Sequence, residues 1–454
     1  IIIGQRLQSA FVEAVGHMRL GHALQLSGSH PWDRPERDTL RRATGYYQRA
    51  IEQIRTFKVL RTQVEALWGL CRAYGYGGDL PAAEEHAGQA LEIVRRSGDE
   101  WMEDLVQVTM GAGYALAGQT EQARECLDDA LEGFGRVGDP FGQAAAWLWL
   151  ALDATWQGQH DVALAHLSEL LPVARERAYD SLLVRRTFIG LADEQAAVPL
   201  LLAARAGGIE REYTARLLDR MGMADVEDHP GYRLAVRALG PFSVWRGAEP
   251  VDARDWKREK ARQIFQLLLT YPRQWFYREQ IIDHLWPHLP PDAAERDFKV
   301  ALSALNRALE PGRARGESPF LVTRRESVYG LNPAAPIAVD TDDFERLAAS
   351  DEVAQLREAL DLYQEDYLPD SVYEDWSAAE RQRLRHLYLL TAERLARHLL
   401  QAKQWDEAIQ VCQTILARDN CWEGAYRLLM KAYAAQDNRP QVHSVYQRCV
   451  ATLD

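Results

Sequence analysis

Pro291-Asp-Ala-Ala-Glu-Arg-Asp-Phe-Lys-Val-Ala-Leu-Ser-Ala-Leu-Asn-Arg-Ala-Leu-Glu-Pro-Gly312 is the stretch on which the reading of the chain turns. Phe298, Leu302, Leu305 and Leu309 follow one another at spacings of four, three and four, which places them on one stripe of a helix. Arg296, Lys299, Ser303, Asn306 and Arg307 fall on the other side, so one face is expected to be core and the other free to touch a partner. Pro291-Asp292 reads as the start and Pro311-Gly312 as the stop of a helix of about five turns. Downstream, Arg313 and Arg315 sit in a loop. Phe320-Leu-Val-Thr323 and Val328-Tyr-Gly-Leu331 then flank Arg324-Arg-Glu-Ser327, which predicts a hairpin with Arg324 and Arg325 at its tip. A helix with a polar, partly basic face followed by a basic hairpin suits the groove and backbone of duplex DNA.

Upstream, Arg233 to Gly247 alternates in hydropathy and carries turn signals, so short strands are expected there. Trp256 to Thr270 is predicted as one helix and Arg278 to Trp286 as a second, stopped by Pro287. Strands, three helices and a hairpin in this order make a winged helix-turn-helix and resemble the OmpR-type DNA-binding domain. Lys257, Lys260 and Arg278 are further candidates for phosphate, Arg278 because a helix start suits an anion.

The net charge of −13 is uneven along the chain. Residues 230–335 hold 17 Lys and Arg against 12 Asp and Glu, residues 1–229 hold 23 against 33, and residues 336–454 hold 13 against 21. Phosphate attraction is a local field, screened beyond about 10 Å at 0.1 M salt, so a basic middle between acidic flanks is compatible with DNA binding.

The first 222 residues repeat. Ala50, Ala90 and Ala130 recur every 40 residues, as do Ala83, Ala123 and Ala163 and the turns Gly78-Asp79, Gly118-Gln119 and Gly158-Gln159. Each unit reads as helix, glycine turn, helix. Small residues at the helix crossing allow close packing, and the pairs stack into a solenoid because one pair cannot bury its own faces. The pattern resembles tetratricopeptide repeats. Four are expected, with a loop insertion at Gly28 to Pro35, followed by less regular helices over 181–222. Solenoids offer a concave face, where Tyr74, Tyr76, Trp147, Trp149 and Trp156 are candidates to meet an effector or partner; the same residues also suit the superhelix core. Near the C-terminus, Gln404 and Asn438, Ala408 and Val442, and Ile415 and Cys449 are each 34 apart, a second tetratricopeptide-like period.

The wording of the second half carries a closer resemblance. LAVRALGPFSVWRG (234–247), REQIIDHLWP (278–287), VALSALNRALEP (300–311) and VYGL (328–331) are followed by VDTDDFERL (339–347), ALDLYQEDYLP (359–369), YEDW (373–376) and AAERQRL (378–384). Together they resemble the Streptomyces antibiotic regulatory protein family, in which a winged helix precedes a bacterial transcriptional activation domain. The resemblance implies an activator whose winged helix binds repeated promoter sites on double-stranded DNA and whose helical domain helps recruit RNA polymerase. Family members carry arginines where Ala304 and Asn306 stand, and Asn pairs with adenine in the major groove. The expected division is 1–224 as a repeat domain for a small-molecule or protein effector, 232–335 as the DNA reader and 336–454 as the activation domain.

Catalytic signatures such as GxxxxGK[ST], HExxH and GxSxG are missing, so no enzyme and no cofactor in this chain are expected. The acidic cluster Glu365, Asp366, Glu374 and Asp375 reads as a loop closing onto the winged helix, and His284 with His288 as a helix end. Five cysteines without CxxC spacing suit a reducing cytoplasm. The chain starts at Ile1 and is expected to be part of a longer one; regulators of the MalT type with such arrays carry a nucleotide-binding module upstream. The rival reading is a protein scaffold with the winged helix as a structural adaptor, which Ala304 and Asn306 keep open.

Overall fold

Glycine sets the beat of the first half. The computed structural model of the chain describes residues 1–26, 35–55, 59–313 and 316–453, and divides into two compact units, Ile1–Arg233 and Leu234–Asp454. In the first, helices Ala10–Leu26 and Pro35–Ile54, Leu60–Tyr76 and Leu80–Ser97, Glu100–Leu116 and Thr120–Val137, and Pro140–Trp156 and His160–Arg177 form four antiparallel pairs. Gly78, Gly98, Gly118, Gly138 and Gly158 each adopt a left-handed backbone with φ between 69° and 83°, which lets the chain reverse every twenty residues. Ala178, at the next beat, takes the same conformation with φ 58° despite its Cβ. Asp79, Asp99 and Asp139 cap the following helices by accepting backbone N–H groups. Ala83, Ala90, Ala123 and Ala130 are fully buried at the crossings. A Cβ on Gly111 would lie 2.5 Å from Leu127 Cγ. The array is the expected tetratricopeptide solenoid; the insertion read at Gly28 to Pro35 lies almost wholly outside the described residues.

After Arg177 the rhythm ends. Asp180–Val184 is a single helical turn, and residues 185–193 run without regular structure along the inner helices before Ala197–Ala206 and Arg211–Arg220 close the unit.

The second unit opens with an antiparallel pair, β1 (Leu234–Arg237) and β2 (Ser243–Arg246), extended by β3 (Glu249–Pro250). The helix expected to run unbroken from Trp256 is instead two: Ala253–Trp256 and Glu259–Thr270, separated where Lys257 turns left-handed with φ 56°. Next come β4 (Phe276–Tyr277), helix Arg278–Leu285 and the long helix Pro291–Leu309. The wing follows as β5 (Val322–Arg325) and β6 (Val328–Leu331), in a sheet ordered β4-β6-β5. β7 (Ile337–Val339) returns to pair parallel with β1, giving the order β3-β2-β1-β7. The core between these sheets and helices is Phe265, Leu267, Ile281, Phe298 and Leu305, each at most 1% exposed. This is the winged helix.

The remaining helices, Asp340–Ala348, Val353–Leu362, Asp375–Gln401, Trp405–Arg418, Glu423–Ala435 and Arg439–Leu453, stack in tetratricopeptide-like fashion. They join the winged helix without slack, since β7 ends at Val339 and the next helix begins at Asp340. The buried Asp340 carboxylate accepts the N–H groups of Ala238 and Leu239, both at 2.8 Å. Burial raises its pKa to about 7 against the pull of those hydrogen bonds. The 367–376 loop seats on helix Glu259–Thr270 through Ser371 Oγ to Gln266, Gln263 to Glu374, and Tyr271 Oη to the Trp376 carbonyl. In the acidic cluster, Glu374 is held by Gln263 and Trp376, and Asp366 by Tyr363 and Arg418.

Candidate functional site

Two surfaces gather the candidate residues. On helix Pro291–Leu309 the exposed row is Arg296, Lys299, Val300, Ser303 and Arg307. Arg296 and Arg307 make no hydrogen bond or ion pair among the described residues, leaving their guanidinium donors open to solvent. Lys299 Nζ sits 2.9 Å from Glu295, which also holds Arg278 at 2.8 Å. Arg278 further contacts Glu279 at 2.8 Å, and these carboxylates push its pKa up.

Asn306 corrects the sequence reading. It is 8% exposed and its Oδ1 has no partner, so it faces the packed side and not the free row. Ala304, also 8% exposed, is packed too. The last turn of the helix is enclosed: buried Arg246 donates to the Ala308 carbonyl at 3.0 Å, and Glu310 accepts Leu321 N–H at 2.7 Å.

The wing is basic but its arginines are not at the tip. Arg324 and Arg325 close strand β5, and Glu326-Ser327 makes the turn. Arg324 lies over Tyr329, 5.7 Å from the ring centroid, and Tyr329 meets Phe298 of the long helix edge-on at 5.3 Å. One aromatic contact therefore ties wing to helix. Arg325 stacks over Trp275 at 4.3 Å. Arg313 belongs to the loop before the wing, while Arg315 lies outside the described residues. Lys257 is exposed; Lys260 is half-buried with its Nζ over Trp286 at 5.6 Å.

Sequence reasoning missed the residues that aim this surface. Asp297 accepts Trp286 Nε1 at 2.7 Å and pairs with Arg258 at 2.9 Å, which fixes the long helix against its neighbours. The signal was a carboxylate immediately before Phe298, the first residue of the apolar stripe, too common to single out.

The second surface is the inner face of the repeats, and it is occupied by the chain itself. Arg72, 4% exposed, donates Nε to the Phe188 carbonyl at 2.7 Å and Nη2 to that of Thr187 at 3.2 Å. Trp149 Nε1 donates to the Ile189 carbonyl at 2.9 Å and Tyr76 Oη to that of Gly190 at 3.0 Å. The Phe188 ring lies 4.5 Å from both His22 and Trp68. Burial, with Arg19 and Arg72 nearby, lowers the His22 pKa to about 4. Of the aromatic candidates, Trp149 and Tyr76 are thus engaged internally, Tyr74 stacks on His86, Trp147 is half-buried, and Trp156 is exposed. Arg72, His22 and Trp68 were not foreseen, being helical residues with no motif.

No cluster of three metal-ligating groups occurs among the described residues, and none of their helices is long and apolar enough to cross a membrane.

Residues 339–454 match the family model of the bacterial transcriptional activator domain. None of the curated proteins matches the chain. Among solved structures, the chain is similar to Mycobacterium tuberculosis EmbR in complex with a low-affinity phosphopeptide, at 20% identity and a TM-score of 0.41, over 49% of this chain and 60% of that one. It is also similar to the P58(IPK) TPR domain, at 12% identity and a TM-score of 0.19 over 96% and 92% of the two chains. A circular tandem repeat protein with novel repeat topology matches at 12% identity and a TM-score of 0.21 over 97% of each. The stretch that matches the bacterial transcriptional activator domain thus follows directly on a winged helix, with a tetratricopeptide-like array before both in the sequence.

Proposed function

We propose that this chain is a transcriptional activator that reads double-stranded promoter DNA through helix Pro291–Leu309, with Arg324 of the wing on the adjoining backbone. The carrying observation is the free row Arg296, Lys299, Ser303 and Arg307, linked to Arg324 through Tyr329 and Phe298. Arg296 and Arg307 are exposed donors without a partner among the described residues, and guanidinium groups of this kind meet phosphate or guanine. Arg278 and Lys299 share Glu295 and would exchange it for phosphate on docking. Lys257, Arg325 and Lys260 lie outside the row; Arg325 and Lys260 are spent partly on aromatic rings. The helical domain from Asp340 onward contacts RNA polymerase, and the repeats hold a regulatory partner.

Ala304 and Asn306, the residues that keep the adaptor alternative open, are packed and lie outside the exposed row, which supports the DNA reading. Fluorescence anisotropy of the whole chain with random duplexes across salt tests the reading. Affinity should fall steeply as salt rises, and Arg296→Ala/Lys299→Ala should lower the slope of log K against log salt by about 1–2. Binding that ignores both salt and the double substitution would return the winged helix to an adaptor role.

A further inference from the structure

Four consecutive main-chain carbonyls, Thr187 to Gly190, each receive a side-chain donor from the inner helices of the repeats. Such an array reads backbone, presented here by a segment that bends at Phe188, Ile189 and Gly190 so that successive carbonyls meet the same face. Phe188 fills a slot between His22, Trp68 and Arg72. Gly190 closes the bend against the segment's own approach, since a Cβ there would come 2.4 Å from Thr187 Oγ1 and 2.9 Å from Leu182 Cδ1.

The fit fails at one position. Thr187 Oγ1 and His22 Nε2 are buried without a partner. Arg72 is buried beside them with neutral acceptors, the carbonyls and Gln25 Oε1, and no carboxylate pairs with it among the described residues. A buried guanidinium without a counter-charge is costly, and a carboxylate in its place would make the stronger, charge-assisted bond. We propose that the groove is a receptor for a bent peptide segment of a partner protein with the pattern acidic-aromatic-any-Gly, and that Thr187–Gly190 is a resident competitor that occupies it until displaced. The acidic residue takes the place of Thr187 and supplies the charge that Arg72 lacks. This rests on the repeats being the partner-binding module and is independent of the DNA reading.

The test uses the whole chain and a fluorescein-labelled peptide spanning Val184 to Ala192, in its own sequence and with Thr187→Glu, in the absence of DNA. Phe188→Ala and Thr187→Lys are two separate ways to loosen the resident segment; circular dichroism and a cooperative thermal melt confirm that each variant is folded. The acidic peptide should bind the loosened chains saturably and at least about tenfold tighter than the unmodified peptide, and tighter than it binds the wild-type chain. Adding Arg72→Gln should abolish the preference between the two peptides. Absence of saturable binding by a folded loosened chain, or a preference that survives Arg72→Gln, overturns the proposal while leaving the activator reading intact.

Discussion

Asp104 is 5% exposed inside the third helix pair, pressed against Gly133, and its Oδ2 has no partner. Burial is the main cause of a pKa raised to about 7, with Glu103, Glu100 and Asp139 adding to it and Arg136 opposing. The folded state therefore holds a proton that the unfolded chain releases near pH 4, so stability falls as pH rises from about 4 to 7 and levels off above. Asp104→Asn should remove that fall and stabilise the chain by about 1–2 kcal/mol at pH 8, with little effect at pH 4; urea melts at the two pH values measure it. Nothing in the sequence marked Asp104, because its burial depends on the missing side chain of Gly133, twenty-nine residues on. Asn306 was misplaced for a related reason. A polar side chain near the edge of the free stripe reads as exposed, yet Arg246 and Glu310 bring other elements over the last helical turn.

At the scale of elements, periodicity carried most of the reading. The 40-residue repeat of small residues set the helix pairs, and the four-three-four spacing set the long helix, because both patterns express which face must leave water. What escaped was local backbone: the break at Lys257, which no proline or glycine announces, and the irregular 185–193 segment, which is held by carbonyls and leaves no periodic trace. Ala178 shows the same limit from the other side. It stands where the array otherwise places a left-handed glycine, with φ 58°. Relief of its Cβ strain should outweigh the added freedom of the unfolded chain, so Ala178→Gly is expected to raise stability by about 0.5–1 kcal/mol in thermal or urea unfolding.

Across the whole molecule, the activator domain was legible from ordered segments of wording, and the family match over residues 339–454 agrees with it. The intimacy of its union with the winged helix was not, because pairing of β7 with β1, and the seat of the 367–376 loop on helix Glu259–Thr270, are long-range contacts without a local signature.

That union has a consequence for geometry on a promoter. With Val339 in the sheet and Asp340 already helical, the tail has no swivel, so under the proposed DNA-reading function the azimuth at which the winged helix sits on the duplex would dictate the azimuth of the helices from Asp340 onward. Rotation about the DNA axis is then set by base-pair count. Inserting about five base pairs between the binding site and the promoter turns the tail to the opposite side of the double helix, whereas about ten restore its facing. Reporter transcription should fall with the first insertion and recover with the second, in step with helical phase and not with distance.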